Sequence, residues 1–181
     1  CFLTELTGGA AFIGCVFRYG CGRSGVISPR GAVIFTYLGI LLVVALIDWD
    51  TQMIYDRFHI MILILAVFDF LLYPERGIVT RLIGALIISV PMLILALVIP
   101  GAFGGGDIKL MAASGLLLGT ASTVCAMFIG IVTGGGYAAV MLAGKKLEKK
   151  DQFAFGPFLA LGLAAAVFWG DQIAAWYLGF L

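Results

Sequence analysis

Charge is what this sequence has least of. Only 12% of its 181 residues are Asp, Glu, Lys or Arg, against 62% hydrophobic, and the mean hydropathy is +1.14. A soluble domain carries roughly a quarter of its residues as charges, so a surface facing water on all sides is excluded. Strict alternation of apolar and polar residues is missing too, which argues against membrane β-strands. The segments are continuously apolar, as expected of helices that satisfy their own backbone groups in lipid. One histidine (His59) and four cysteines (Cys1, Cys15, Cys21, Cys125) form no CxxC pair and no cluster with metal-ligand spacing. The cysteines read as small apolar fillers, with a bond between Cys15 and Cys21 open if that end faces an oxidising compartment. A net charge of +1 gives no reason to expect a nucleic-acid partner.

What is present is a succession of apolar segments: residues 4–19, 31–47, 58–73, 78–99, 108–118, 121–143 and 156–181. The expected fold is an all-α, polytopic membrane bundle of six or seven transmembrane helices in a single domain, residues 1–181, with a kink at Pro91. The sequence starts without Met and in mid-pattern, so an upstream part, with a further helix, is expected to precede it. If every segment crosses, residues 48–57, 101–107 and 145–151 share one face. Six Lys and Arg fall on that face and five on the other, so charge alone does not set the orientation.

Acidic residues inside such a chain need a reason, since each costs at least about 2.5–3.5 kcal/mol at membrane depth. Asp48 ends a wholly apolar segment. Asp107 follows Gly101-Ala102-Phe103-Gly104-Gly105-Gly106, a run too rich in glycine for ordinary helix, and opens the next segment. The crossing pattern puts both at one membrane face. Two carboxylates brought close do not both ionise cheaply; they share a proton, the electrostatic basis of aspartic proteolysis. The ionised member takes a proton from water and the protonated member polarises the scissile carbonyl. Glycines without Cβ let a substrate backbone approach and permit positive φ. The plainer alternative makes both groups helix-end residues in interfacial water, with Asp107 as an N-cap.

The run Ala45-Leu46-Ile47-Asp48-Trp49-Asp50-Thr51-Gln52-Met53-Ile54-Tyr55-Asp56 resembles the first aspartate motif of bacterial prepilin peptidases, in which Asp or Asn follows the helix-closing Asp by eight residues. Gly104-Gly105-Gly106-Asp107-Ile108-Lys109-Leu110 resembles their second, the GxGD motif with its trailing Lys. Weaker matches in the family's order are Thr4-Glu5-Leu6-Thr7-Gly8, Phe17-Arg18-Tyr19-Gly20 and Phe155-Gly156-Pro157-Phe158-Leu159-Ala160-Leu161-Gly162. Two departures stand out. Tyr55 occupies a position usually held by Pro, and no tetracysteine zinc module is present, which the expected upstream part would have to carry.

The resemblance implies a membrane-embedded aspartic endopeptidase with catalytic Asp48 and Asp107. Gly104, Gly105, Gly106, Asp50, Asp56 and Lys109 are candidate substrate-binding residues, with Asp50 and Asp56 attracting a basic leader or simply standing as interfacial charges in water. The implied reaction removes the leader of type IV prepilins or type II secretion pseudopilins at the cytoplasmic face of the bacterial inner membrane, after a Gly. Many such enzymes also N-methylate the new terminus with S-adenosylmethionine; Glu5 resembles an acidic position of the family, and proteolysis itself needs no cofactor and no metal. An archaeal preflagellin peptidase is a near variant.

Two other readings stay open. A presenilin-like or signal-peptide-peptidase-like protease would use the Tyr55-Asp56 pair, making Asp56 the partner of Asp107. A small ion-coupled transporter would line one path with Asp48, Asp69, Asp107 and Asp171. Asp69 and Asp171 otherwise lie near the far face or pair with Arg there. His59, alone at a helix start, is read as neither ligand nor base. Gly134-Gly135-Gly136 is read as a close-packing stretch, and residues 145–151 as a solvated loop.

Overall fold

A computed structural model describes residues 8–10, 13–15, 18, 28–99, 101–144 and 154–179. The described residues from 8 to 18 are helical, and six helices follow: α1 (Pro29–Thr51), α2 (Asp56–Leu72), α3 (Ile78–Val98), α4 (Gly105–Leu118), α5 (Thr120–Ala143) and α6 (Gly156–Leu178), with a 3₁₀ turn at Pro74–Arg76. No strand occurs among the described residues. Cys1, Glu5, Cys21 and the loop with Lys145, Lys146, Lys149, Lys150 and Asp151 lie outside them, as do most of the residues in the two N-terminal motif matches.

Three helices, α1, α3 and α5, are long and apolar enough to cross a membrane. A span needs about 20 residues, and α2 and α4 have 17 and 14. Large apolar side chains point outward, among them Ile64, Phe68, Leu86, Leu97 and Phe128, while small residues face inward where helices cross. Between α3 and α4, neither Gly84 nor Gly115 has room for a methyl group, because each abuts the other helix's backbone. Gly162 of α6 meets Ala126 of α5 in the same way. Close backbone approach through small residues is how helices associate in lipid, where burying a large apolar side chain gains little.

Helix α4 is the hub. It packs against α2, α3, α5 and α6, and Leu110, Met111, Ala113, Ser114, Leu117 and Leu118 are buried along it, as expected of a helix without a polar face. Pro91 lies inside α3, which continues through it as helix to Val98.

Helix ends differ from the expected ones in two informative places. Helix α1 does not stop at Ile47; it runs a further turn to Thr51, where Gln52 adopts a left-handed conformation (φ 54°) and donates its N–H to the Asp48 carbonyl. Hydropathy marks where a helix leaves the apolar layer, whereas the backbone ladder continues until a cap stops it. Helix α4 starts at Gly105, inside the glycine run expected to be loop, with Gly104 as N-cap. First-turn N–H groups are unpaired in any helix, so glycine costs less there than in mid-helix. Asp107 is therefore a first-turn residue and not the N-cap.

Candidate active site

Both aspartates are buried for the same periodic reason. Along α1 the inward stripe is Ile34, Tyr37, Leu38, Leu41, Val44 and then Asp48, steps of three or four residues that keep one helix face. Along α4 it is Asp107, Leu110, Met111, Ser114 and Leu117. Each carboxylate is thus the last member of a core stripe, carried by the helix to the point where the apolar interior gives out. Asp48 is 5% exposed and Asp107 8%, and they stand near enough for the charge on Asp48 to act on Asp107.

Asp48 faces an electrostatic problem, because a carboxylate in the last turn of its own helix opposes that helix's dipole. A different helix answers it. The N–H of Gly156, first residue of α6, donates to Asp48 Oδ2 at 3.0 Å, so the carboxylate sits on the positive end of α6. Pro157 follows within the helix, at a position where its missing N–H removes no helical bond. A Cβ at position 156 would stand 2.6 Å from Asp48 Oδ2 and 2.8 Å from its Cγ; only glycine lets the two helices meet this way.

Asp107, in the first turn of α4, is favourably placed toward its helix dipole, and its carboxylate accepts the backbone N–H of Gly104. Its Oδ1 is buried and lacks a hydrogen-bond partner among the described residues. The segments leading into α4 and α6 touch through Phe103 and Phe155, whose ring centroids are 5.9 Å apart. Gly134 of α5 lies directly under Phe155, whereas Gly135 and Gly136 have nothing within 4 Å of where a Cβ would be. Close packing thus holds for the first glycine of that triplet alone.

The candidate substrate-binding residues divide. Gly104 and Gly105 are exposed, and a Cβ at Gly105 would meet open space. Gly106 is instead pressed against the segment before α2, where a Cβ would come within 2.9 Å of Ile54 Cβ. Positive φ in the glycine run belongs to Gly101 (85°) and not to Gly104–Gly106, which differs from the conformational role expected of them. Asp50 is exposed on the last turn of α1. Asp56 is exposed and paired with Lys109 Nζ at 2.7 Å. Sequence reasoning left out Gly156, although its motif was visible, and the contact from His59 Nε2 to the Gly106 carbonyl at 3.0 Å, which nothing local signals.

Away from this end, Asp69 is buried and joined to Arg81 at 2.7 Å, with Arg30 Nε 3.7 Å from its other oxygen. Arg81 also reaches the carbonyls of Tyr73 and Leu116. Asp69 is thus an ion-pair member, as in the expected pairing with Arg. Nothing is described of the Asp171 side chain.

All-helical architecture, an outward apolar surface and two buried carboxylates at facing helix ends define a class: a membrane protein that concentrates its polar groups where helices meet. The sequence profile of the type IV leader peptidase family matches residues 35–139, more than half of the chain and inclusive of both aspartates. The chain belongs to that family. A prepilin leader peptidase/N-methyltransferase of Bacillus subtilis (strain 168) is 31% identical over 165 residues, covering 91% of this chain and 66% of the relative. Proteins of the same name from Stutzerimonas stutzeri and Legionella pneumophila are 32% identical over 155 residues (83% of this chain, 53% of the relative) and 36% identical over 77 (42% and 27%). The chain therefore spans less than two thirds of the length of these relatives. No solved structure matches it.

Proposed function

We propose that this chain forms the catalytic core of a membrane-embedded aspartic endopeptidase that removes the basic leader of type IV prepilins or pseudopilins, cutting after Gly at the cytoplasmic face of the inner membrane. The observation that supports the proposal is that Asp48 and Asp107, 59 positions apart in sequence, are both buried carboxylates, one at the end of α1 and one at the start of α4, with the charge of Asp48 bearing on Asp107. One ionised and one protonated carboxyl group activate water and polarise the scissile carbonyl, respectively. The unpartnered Asp107 Oδ1 suits a group awaiting substrate. The exposed glycines 104 and 105 give an extended substrate backbone room to approach. In this proposal the shorter helices also cross, giving six or seven spans.

The competing pairing of Asp56 with Asp107 is weakened by the exposure of Asp56 and its ion pair with Lys109. A transport path through Asp69 is weakened by the bond of that residue to Arg81. N-methylation enters through the family resemblance and the relatives' names. A cavity of about 610 Å³ near the N-terminal helical residues has Arg18 and Gln172 as its polar side chains. Among the described residues that line it there is no carboxylate.

The test is co-expression with a prepilin bearing a basic leader, reading leader removal by mobility and N-terminal sequencing. Asp48→Asn and Asp107→Asn are expected to abolish processing, and Asp56→Asn to retain it. Full processing by Asp48→Asn would sink the proposal; loss in Asp56→Asn alone would move the partner of Asp107 to Asp56.

A further inference from the structure

His59 is the chain's one histidine, and the carboxylate chemistry does not use it. Its ring is buried, 5% exposed, in the first turn of α2, where the amphipathic logic of a membrane helix would put an apolar residue. Two groups stand against the ring. Nε2 lies 3.0 Å from the carbonyl oxygen of Gly106, in the peptide unit that joins Gly106 to Asp107. A carbonyl only accepts, so Nε2 carries a proton. Nδ1 lies 3.5 Å from Asp56 Oδ1 without a hydrogen bond among the described residues, and that same oxygen holds Lys109 Nζ at 2.7 Å.

These contacts form a strap between two helices. On α2 stand Asp56 and His59; on α4 stand Gly106 and Lys109, one on each side of Asp107 in the chain. The need for a strap follows from the sequence of the segment that leads into and opens α4. Residues 101–106 include four glycines, which lose more freedom on ordering than any other residue and have no side chains with which to fix themselves. Beside Asp107 the backbone offers an outside donor the carbonyl of Gly106, in the first turn of α4, and His59 Nε2 stands 3.0 Å from it.

We infer that His59 is a positioning residue for Asp107, holding the Gly106 carbonyl through Nε2–H while the Asp56–Lys109 pair fixes the next turn of α4. The inference rests on the reading of Asp107 as a catalytic group. A histidine that merely fills space beneath the loop would be replaceable by an apolar ring of similar size. One that sets the aim of the adjacent peptide would not, because a misplacement of about 1 Å at a reacting group costs on the order of 100-fold in rate.

The experiment uses the full-length protein, purified in detergent, and follows cleavage of a prepilin over a range of substrate concentrations. The variants are His59→Phe, His59→Gln, His59→Asn and Asp107→Asn. A Gln amide nitrogen reaches the place of Nε2, whereas that of Asn reaches only the place of Nδ1. The expected result is a kcat lowered roughly 10–100-fold in His59→Phe and His59→Asn with KM within about twofold, and recovery to within about threefold of the parent in His59→Gln. Rates are referred to the monodisperse folded fraction, so loss of protein does not pass for loss of rate. If His59→Phe does not accumulate, the comparison of Gln with Asn decides. Equal kcat in His59→Gln and His59→Asn, or parental kcat in His59→Phe, overturns the inference. Cleavage by Asp107→Asn overturns the underlying reading of the site instead.

Discussion

The N–H of Gly156 donates to the carboxylate of Asp48 across 108 residues of chain, and through that bond the start of α6 completes the end of α1. Each helix end leaves backbone groups unpaired; here an N–H left over from one helix solvates an acid that its own helix would reject.

Replacing Gly156 by Ala should therefore disable the site without dismantling the bundle. The added methyl would sit 2.6 Å from Asp48 Oδ2 and 2.8 Å from its Cγ, so the carboxylate itself must move. Leader cleavage is expected to fall by about 100-fold or more, with membrane insertion and thermal stability in detergent close to the parent. Parental cleavage by Gly156→Ala would show that Asp48 is held by something else.

Gly105 and Gly106 are neighbours with opposite tolerances. A Cβ at 105 meets nothing, while one at 106 meets Ile54 at 2.9 Å. Gly106→Ala is expected to cost about 1–3 kcal/mol as overpacking and to slow cleavage sharply. Gly105→Ala should leave the melting temperature unchanged, so any activity it loses reports on substrate approach. Melting curves of the two variants beside their cleavage rates make the comparison.

The buried pair of Asp69 and Arg81 should behave as a unit. Asp69→Leu alone leaves Arg81 as an uncompensated buried charge, with an expected cost of about 3–5 kcal/mol, and Arg81→Leu costs less, because Arg30 Nε stays 3.7 Å from Asp69. Removing both should recover most of that loss, and the recovered protein should still cleave, since the pair stands apart from Asp48 and Asp107. A double-mutant cycle on thermal unfolding in detergent measures it; losses that simply add would mean the two groups are not coupled.

Between α3 and α4 the limit is steric. Gly84→Leu should push the helices apart, because a Cβ there already falls 2.6 Å from the Gly119 backbone. Since α4 carries Asp107, both stability and cleavage are expected to drop, which expression level and activity assayed together will detect.

What the sequence disclosed was whatever is local. Asp48 and Asp107 stand out because a carboxylate beside an apolar run is rare, and the glycines before Asp107 mark a helix start. Their burial was not legible, because in a segment apolar at almost every position no stripe of three- and four-residue steps stands out. Gly156 could be noticed as part of a motif, but its purpose depends on α6 meeting α1, which no local pattern specifies. The strap from His59 to Gly106 was invisible for the same reason, since a lone histidine carries no spacing to read. The true end of α1, at Thr51, was missed because polarity and helicity part company at a membrane boundary. The pairing of Asp69 with Arg was one of two roles open to it, and the helical step between neighbouring segments could not choose between them.

The missing side chain at position 156 also has a meaning in sequence space. Every other residue carries a Cβ, so no single replacement there keeps Asp48 where it is. A library randomised at 156 and selected for leader removal should return glycine alone, while the same selection at 105 should return many answers. That contrast would tell a glycine kept for its backbone from one kept by a neighbour leaving it no room, a distinction that composition, which counts 25 glycines alike, does not make.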